Sequence, residues 1–142
     1  MAERRHEQGL LDTSVVIDLE RIDPNSLPTA LAISAVTLAE LAAGPHATED
    51  ADERARRQDR LQRAEATFDP LPFDDAAARA YGRIYAAVVS AGRKAHGARV
   101  VDLFIAATAL ANDLPLYTNN VADFTHLEDL IEVVAARRAE QA

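Results

Sequence analysis

The 142-residue chain has no cysteine. It therefore holds no disulfide framework, no thiolate zinc site and no catalytic thiol, which suits a cytoplasmic protein. Aromatic residues make up 5% of it, so the core has to be closely packed aliphatic material. Ala, Leu, Val and Ile supply that material within a hydrophobic content of 49%. No run approaches the roughly 18 uninterrupted apolar residues of a membrane span, and no membrane association is expected. No basic start followed by an apolar stretch marks a signal peptide. Nothing repeats at a fixed period. No glycine-rich phosphate loop is present, which excludes a P-loop or dinucleotide-binding site. His6, His46, His96 and His126 are not spaced as zinc-ligand pairs and read as loop or surface residues. Net basic charge is missing too. The formal charge is −8, whereas binders of nucleic acid usually carry a basic surface. Charge is unevenly placed, however. Glu49, Asp50, Asp52 and Glu53 form an acidic run, and Arg93, Lys94, His96 and Arg99 form a basic one.

What is present is one domain's worth of alternating short strands and helices. Residues 1–8 read as a polar, frayed tail, 9–136 as the domain and 137–142 as a polar C-terminal tail. Gly9-Leu10-Leu11 is a buried strand ending at Asp12, and Val15, Val16 and Leu19 recur at helical spacing after it. Leu31-Ala32-Ile33 is a second strand, with Ser34 opening the turn. The helix Ala35–Ala43 then places Val36, Ala39 and Ala43 on one face. Residues 49–67 form a charged amphipathic helix, and Phe68–Phe73, interrupted by Pro70 and Pro72, suggests an edge strand. A long helix carries Ala78, Tyr81, Ile84, Tyr85 and Val88. Val101–Asn112 is apolar nearly all round and reads as a buried helix. Leu116-Tyr117 is a third strand, Ala122–Leu127 a helical turn and Leu130–Val134 a last strand. This alternation predicts an α/β fold, with a short, mainly parallel central sheet and helices on both faces. Sites in such sheets form beyond the carboxyl ends of strands. That rule marks Asp12, Ser34 and the Thr118–Asn120 group.

Several carboxylates stand in apolar settings. Asp12 closes the first strand, Glu40 lies between Ala39 and Leu41, and Asp102 follows Val100 and Val101. Asn120 and Asp123 follow the third strand. Taken singly, Asp12 and Asp102 are as readily helix N-caps, Glu40 a surface residue, and Asn120 and Asp123 turn formers. Together they outnumber the Lys and Arg available nearby to pair them, and an unpaired carboxylate in apolar surroundings is costly. A divalent cation would neutralise them, and Mg2+ or Mn2+ prefers such carboxylate, amide and water oxygens. A site of that kind hydrolyses phosphodiesters without a nucleophilic side chain: the metal activates water and a carboxylate orients it.

Four segments, in order, carry a family resemblance. They are Leu10-Leu11-Asp12-Thr13-Ser14, then Ser34 through Glu40 to Gly44, then Asp102-Leu103-Phe104-Ile105-Ala106-Ala107-Thr108-Ala109, and Tyr117-Thr118-Asn119-Asn120-Val121-Ala122-Asp123-Phe124. The sequence resembles PIN domains, and within them the VapC-type toxins of bacterial toxin–antitoxin pairs. The resemblance implies an Mg2+- or Mn2+-dependent endoribonuclease, a cognate antitoxin and a homodimer. It implies that Asp12 and Asp102 are direct metal ligands and that Glu40 acts through water. The fourth acidic position of the family falls on Asn120, with Asp123 beside it, a departure in charge that still offers a carbonyl oxygen. Thr13, Ser14 and Thr118 would lie close to the site and hold water or phosphate. Arg93, Lys94 and Arg99 are the candidate contacts to RNA phosphates. Asp12-Thr13-Ser14 also resembles the aspartic-protease motif, but those enzymes are β-rich and need a second Asp alongside. A haloacid-dehalogenase-like phosphatase would want a second Asp where Ser14 stands. The remaining alternative is a PIN-fold module that binds RNA or protein without cutting.

Overall fold

The computed structural model describes residues 6–92 and 99–140. Four strands form one sheet in the order β2-β1-β3-β4. They are β1 (Gln8–Leu11), β2 (Ala30–Ala32), β3 (Leu116–Thr118) and β4 (Val133–Ala135). Every neighbouring pair is parallel. Among the described residues five α-helices accompany them: α1 (Thr13–Ile17), α2 (Ala35–Ala43), α3 (Ala51–Thr67), α4 (Asp75–Ser90) and α5 (Arg99–Ala111). Short 3-10 turns at 19–21, 24–26, 44–47 and 121–124 fill the connections. Among the described residues, no helix is long and apolar enough to cross a membrane.

Strand alternation sorts the core into two layers. Leu10 and Leu116 point to one side, where Ala80, Ile84 and Val88 of α4 and Leu103, Ile105 and Ala106 of α5 pack. Leu11 and Tyr117 point to the other, against Val15 and Val16 of α1, Leu41 of α2 and Ala64 of α3. A sheet covered on both faces needs continuous apolar strands, which is why β1 and β3 read as short unbroken runs. Gly9 is required where β1 meets β3: a Cβ there would lie 2.5 Å from Tyr117 Cε1 and 2.9 Å from Pro28 Cγ.

Three local expectations shift. Phe68–Phe73 forms no strand beyond one bridge, Leu71 to Ser34. Leu71 donates to Ile33 and accepts from Ala35, but Pro70 and Pro72 have no N–H with which to extend the ladder. The last strand begins at Val133 rather than Leu130, because the N–H groups of Leu130 and Ile131 close a turn onto Leu127. Helix α2 buries Thr37 and Leu41, whereas Ala39 and Ala43 face solvent. Ser34 caps that helix through Thr37 N–H, and this sets the phase that turns Thr37 inward. At the chain's end, Arg137 and Ala139 hydrogen-bond back to Asp23 and Arg21.

Candidate functional site

The carboxyl ends of β1 and β3 lie side by side, since Leu11 pairs with Tyr117. Asp12 N–H continues the ladder to Tyr117 O at 2.8 Å. The chain then turns into α1, and Asp12 caps it by accepting from Thr13 N–H at 2.9 Å. Its other oxygen accepts from Ser14 Oγ at 3.0 Å and from Thr118 Oγ1, at the end of β3, at 2.9 Å. The residue is 6% exposed. Burial pushes its carboxyl pKa above the usual aspartate value, the hydrogen bonds from Thr118, Ser14 and Thr13 pull it part of the way back, and the nearby charge of Asp123 pushes it up again. All three donors are neutral, and among the described residues no Lys, Arg or His is ion-paired to this carboxylate.

The turn after β3 folds back over Asp12. Asn120 N–H donates to Thr118 Oγ1 at 3.1 Å, and Asn120 Nδ2 donates to Asp123 Oδ2 at 2.8 Å. Thr118 thus takes a backbone proton from one side and gives its own to Asp12 on the other. Asn119 reaches across to Asp18 Oδ2 at 3.3 Å, which Arg138 also holds at 2.8 Å.

Glu40 joins from α2. Its helix position is exposed, yet its carboxylate accepts from Thr13 Oγ1 at 2.5 Å. Thr13 Oγ1 in turn stands 2.9 Å from Thr37 Oγ1, below it in the core. Asp102 sits half-buried in the first turn of α5, which packs against α2 as well as α4. Hydrogen bonds therefore link Asp12, Thr13, Ser14, Glu40 and Thr118, and through Thr118 they reach Asn120 and Asp123. Of the expected RNA contacts, Arg99 opens α5, while Arg93 and Lys94 lie outside the described residues.

Asn119 lies in the strand-end group that the sequence marks. Thr37 is the participant the sequence reading misses, inside an apolar helix, although Ser34-x-x-Thr37 is the spacing of an N-cap to its bonded partner. A hydroxyl three residues inside a cap, on the face that closes on a strand end, was the available signal.

The donor set suits a hard divalent cation, being carboxylate, amide and hydroxyl oxygen throughout. The fit is to an open, water-rich ion rather than a closed cage. Among the described residues no three Asp, Glu or His side chains stand close enough to hold a metal by themselves. Mg2+ is commonly held by one or two carboxylates and completes its shell with water.

A separate groove of about 470 Å³ runs between α1 and α3. Val16, Leu19, Ala64 and Phe68 supply apolar lining, and Arg21, Arg56, Arg60 and Arg63 line it beside Asp18, Glu20 and Asp59. Arg63 pairs with Glu20 and Asp59, and Arg56 with Glu53. Among the described residues, the side chains of Arg21 and Arg60 make no ion pair.

Comparison with known proteins matches the chain and its fold to one family. The PIN domain family matches residues 9–130. The chain is 38% identical over 132 residues to Ribonuclease VapC5 of Mycobacterium tuberculosis, covering 91% of this chain and 94% of that protein. It is similar to the crystal structure of VapBC-5, a member of the VapBC family of toxin–antitoxin systems from M. tuberculosis. That match has a TM-score of 0.79 and 37% identity over 92% of this chain and 98% of the other. It also resembles FitAcB from Neisseria gonorrhoeae, with a TM-score of 0.68 and 26% identity over 90% and 96% of the two chains.

Proposed function

The chain belongs to the PIN-domain family, as a ribonuclease of the VapC type, and from that premise we propose that it is a toxin that hydrolyses RNA phosphodiester bonds at the Asp12 cluster with Mg2+ or Mn2+. The observation that carries this reading is Asp12 itself. A carboxylate at a strand end, 6% exposed and held by neutral donors, is resisted in its charged form by burial, and a cation beside it reverses that resistance. Asp12 and Asp102 hold the metal directly, Glu40 through water, and Asn120 through its amide oxygen with Asp123 alongside. When bound, the metal supplies Lewis-acid stabilisation of the scissile phosphate and lowers the pKa of a water. Glu40 orients the attacking water. Ser14 and Thr118 fix the rotamer of Asp12. Arg93, Lys94 and Arg99 contact flanking phosphates.

The partners follow from the same membership. A cognate antitoxin silences the nuclease, and both act in the cytoplasm, where the RNA is. The groove between α1 and α3 is the surface offered to an antitoxin segment with apolar side chains beside acidic ones. Its apolar lining and the unpaired Arg21 and Arg60 favour that chemistry in a chain whose net charge is −8. A second copy of the chain fits α4, where Tyr85 and Val89, one turn apart, are 46% and 48% exposed.

The test is cleavage of total cellular RNA by antitoxin-free protein. Fragments are expected with Mg2+ or Mn2+, and none with EDTA, Asp12→Asn or Asp102→Asn. Intact RNA with soluble wild-type protein and metal would overturn the nuclease and leave a PIN fold that binds without cutting.

A further inference from the structure

Beneath Glu40 the core holds three hydroxyls in line. Thr37 N–H, which can only donate, bonds Ser34 Oγ at 3.0 Å. Ser34 Oγ donates to Thr37 Oγ1 at 3.3 Å, and Thr37 Oγ1 meets Thr13 Oγ1 at 2.9 Å. Thr13 donates to Glu40 Oε1 at 2.5 Å. Each hydroxyl has a single proton. With Thr13's proton on Glu40, the proton between the two threonines belongs to Thr37. The chain therefore has one direction: Ser34 to Thr37 to Thr13 to the carboxylate. It starts at a group that only donates and ends at one that, when ionised, only accepts. Ser34 and Thr37 are 0% exposed and Thr13 9%, so the bonds among the three hydroxyls are shielded from water, while Glu40 at the end of the chain is exposed. Aligned donors polarise one another, and the last bond, to a charged acceptor, is the strongest.

We propose that Thr37 is a positioning residue of the metal site: its buried hydroxyl aligns Thr13 on Glu40, fixing one carboxylate oxygen and leaving the other for a metal-bound water. Thr37 touches neither RNA nor metal. It acts through Thr13, across the contact between α1 and α2. A purely structural Thr37 would fill space and satisfy Ser34, and its replacement would change stability alone. The inference rests on the reading of Glu40 as a metal-shell residue, and the experiment separates the two.

Mn2+ binding to the metal-free full chain is measured by the loss of the free-ion electron-paramagnetic-resonance signal, beside melting temperature and RNA cleavage. Thr37→Val keeps the shape and removes the hydroxyl. It is expected to bind Mn2+ about tenfold more weakly and to lower kcat with little change in the KM for RNA. Thr37→Ser keeps the hydroxyl and removes a methyl group. It is expected to restore Mn2+ affinity while melting below wild type. If Thr37→Val binds Mn2+ like wild type while Glu40→Gln does not, the positioning role is overturned and the metal site stands. If Thr37→Ser weakens binding as much as Thr37→Val, the methyl rather than the hydroxyl matters, and the proposal is overturned. Unchanged binding in Glu40→Gln, or none in wild type, removes the underlying reading of Glu40.

Discussion

At Asp12, burial and the charge of Asp123 both act against ionisation, and three hydrogen bonds offset them in part. The folded-state pKa lies above the usual aspartate value of 3.8, so the native chain holds this proton more tightly than the unfolded chain does. That contribution to stability is complete below the unfolded value and is lost as pH rises through the folded one. At neutral pH the ionised Asp12 therefore costs the metal-free protein stability. Asp12→Asn escapes the loss, because its amide does not titrate and its Oδ1 can still cap α1. The expected outcome, in EDTA, is a melting temperature for Asp12→Asn relative to wild type that is higher at pH 7.5 than at pH 4. Added Mn2+ should stabilise wild type and not the variant. Thermal melts at the two pH values, with and without Mn2+, measure this. A difference independent of pH would count against a raised Asp12 pKa.

Among the elements, the β1–β3 pairing positions the most. It sets Asp12 beside Thr118, and its close approach depends on Gly9. Gly9→Ala would press a methyl group onto the buried Tyr117 ring and onto Pro28. Overpacking of this kind costs about 1–3 kcal/mol, set against a smaller gain from a stiffer unfolded chain. Denaturant unfolding is expected to show that loss. Cleavage should fall as well, since a shift of β1 moves the cap that carries Asp12. The short bridge at Leu71 and the phase of α2 belong to the same scale. Pro70 and Pro72 limit the first, and the Ser34 cap sets the second.

Across the whole molecule, charge and function stand in tension, because a chain at −8 repels RNA at long range. The cations are local instead. Arg21, Arg56, Arg60 and Arg63 of the α1–α3 groove make no hydrogen bond or ion pair with the Asp12 cluster among the described residues, so antitoxin capture and RNA cleavage are expected to respond to different substitutions. The double variant Arg21→Glu, Arg60→Glu should weaken binding of the cognate antitoxin and make the remaining binding less sensitive to salt. Its RNA cleavage without antitoxin should match wild type. Binding measured by calorimetry at two salt concentrations tests this, and an unchanged affinity would move the antitoxin segment to another face.

The sequence by itself determined the α/β class, the three strand-end positions and the acids that follow them. These are local matters: apolar runs of strand length, caps after them, and one carboxylate, Asp12, where burial makes charge costly, whereas Glu40 proves exposed. It also carried the family resemblance, since the four segments keep their order. The tertiary structure decided what those residues do to one another. Thr13 bonds a residue 27 positions away and Thr118 one 106 positions away, and no periodicity encodes such separations. For Thr37 the sequence offers only the cap spacing from Ser34; that its hydroxyl reaches Thr13 depends on the neighbouring helix that receives its proton. That Arg21 and Arg60 make no ion pair among the described residues was equally hidden, since ion pairing on a surface is settled only when the turn at 19–21 and α3 are brought to one groove.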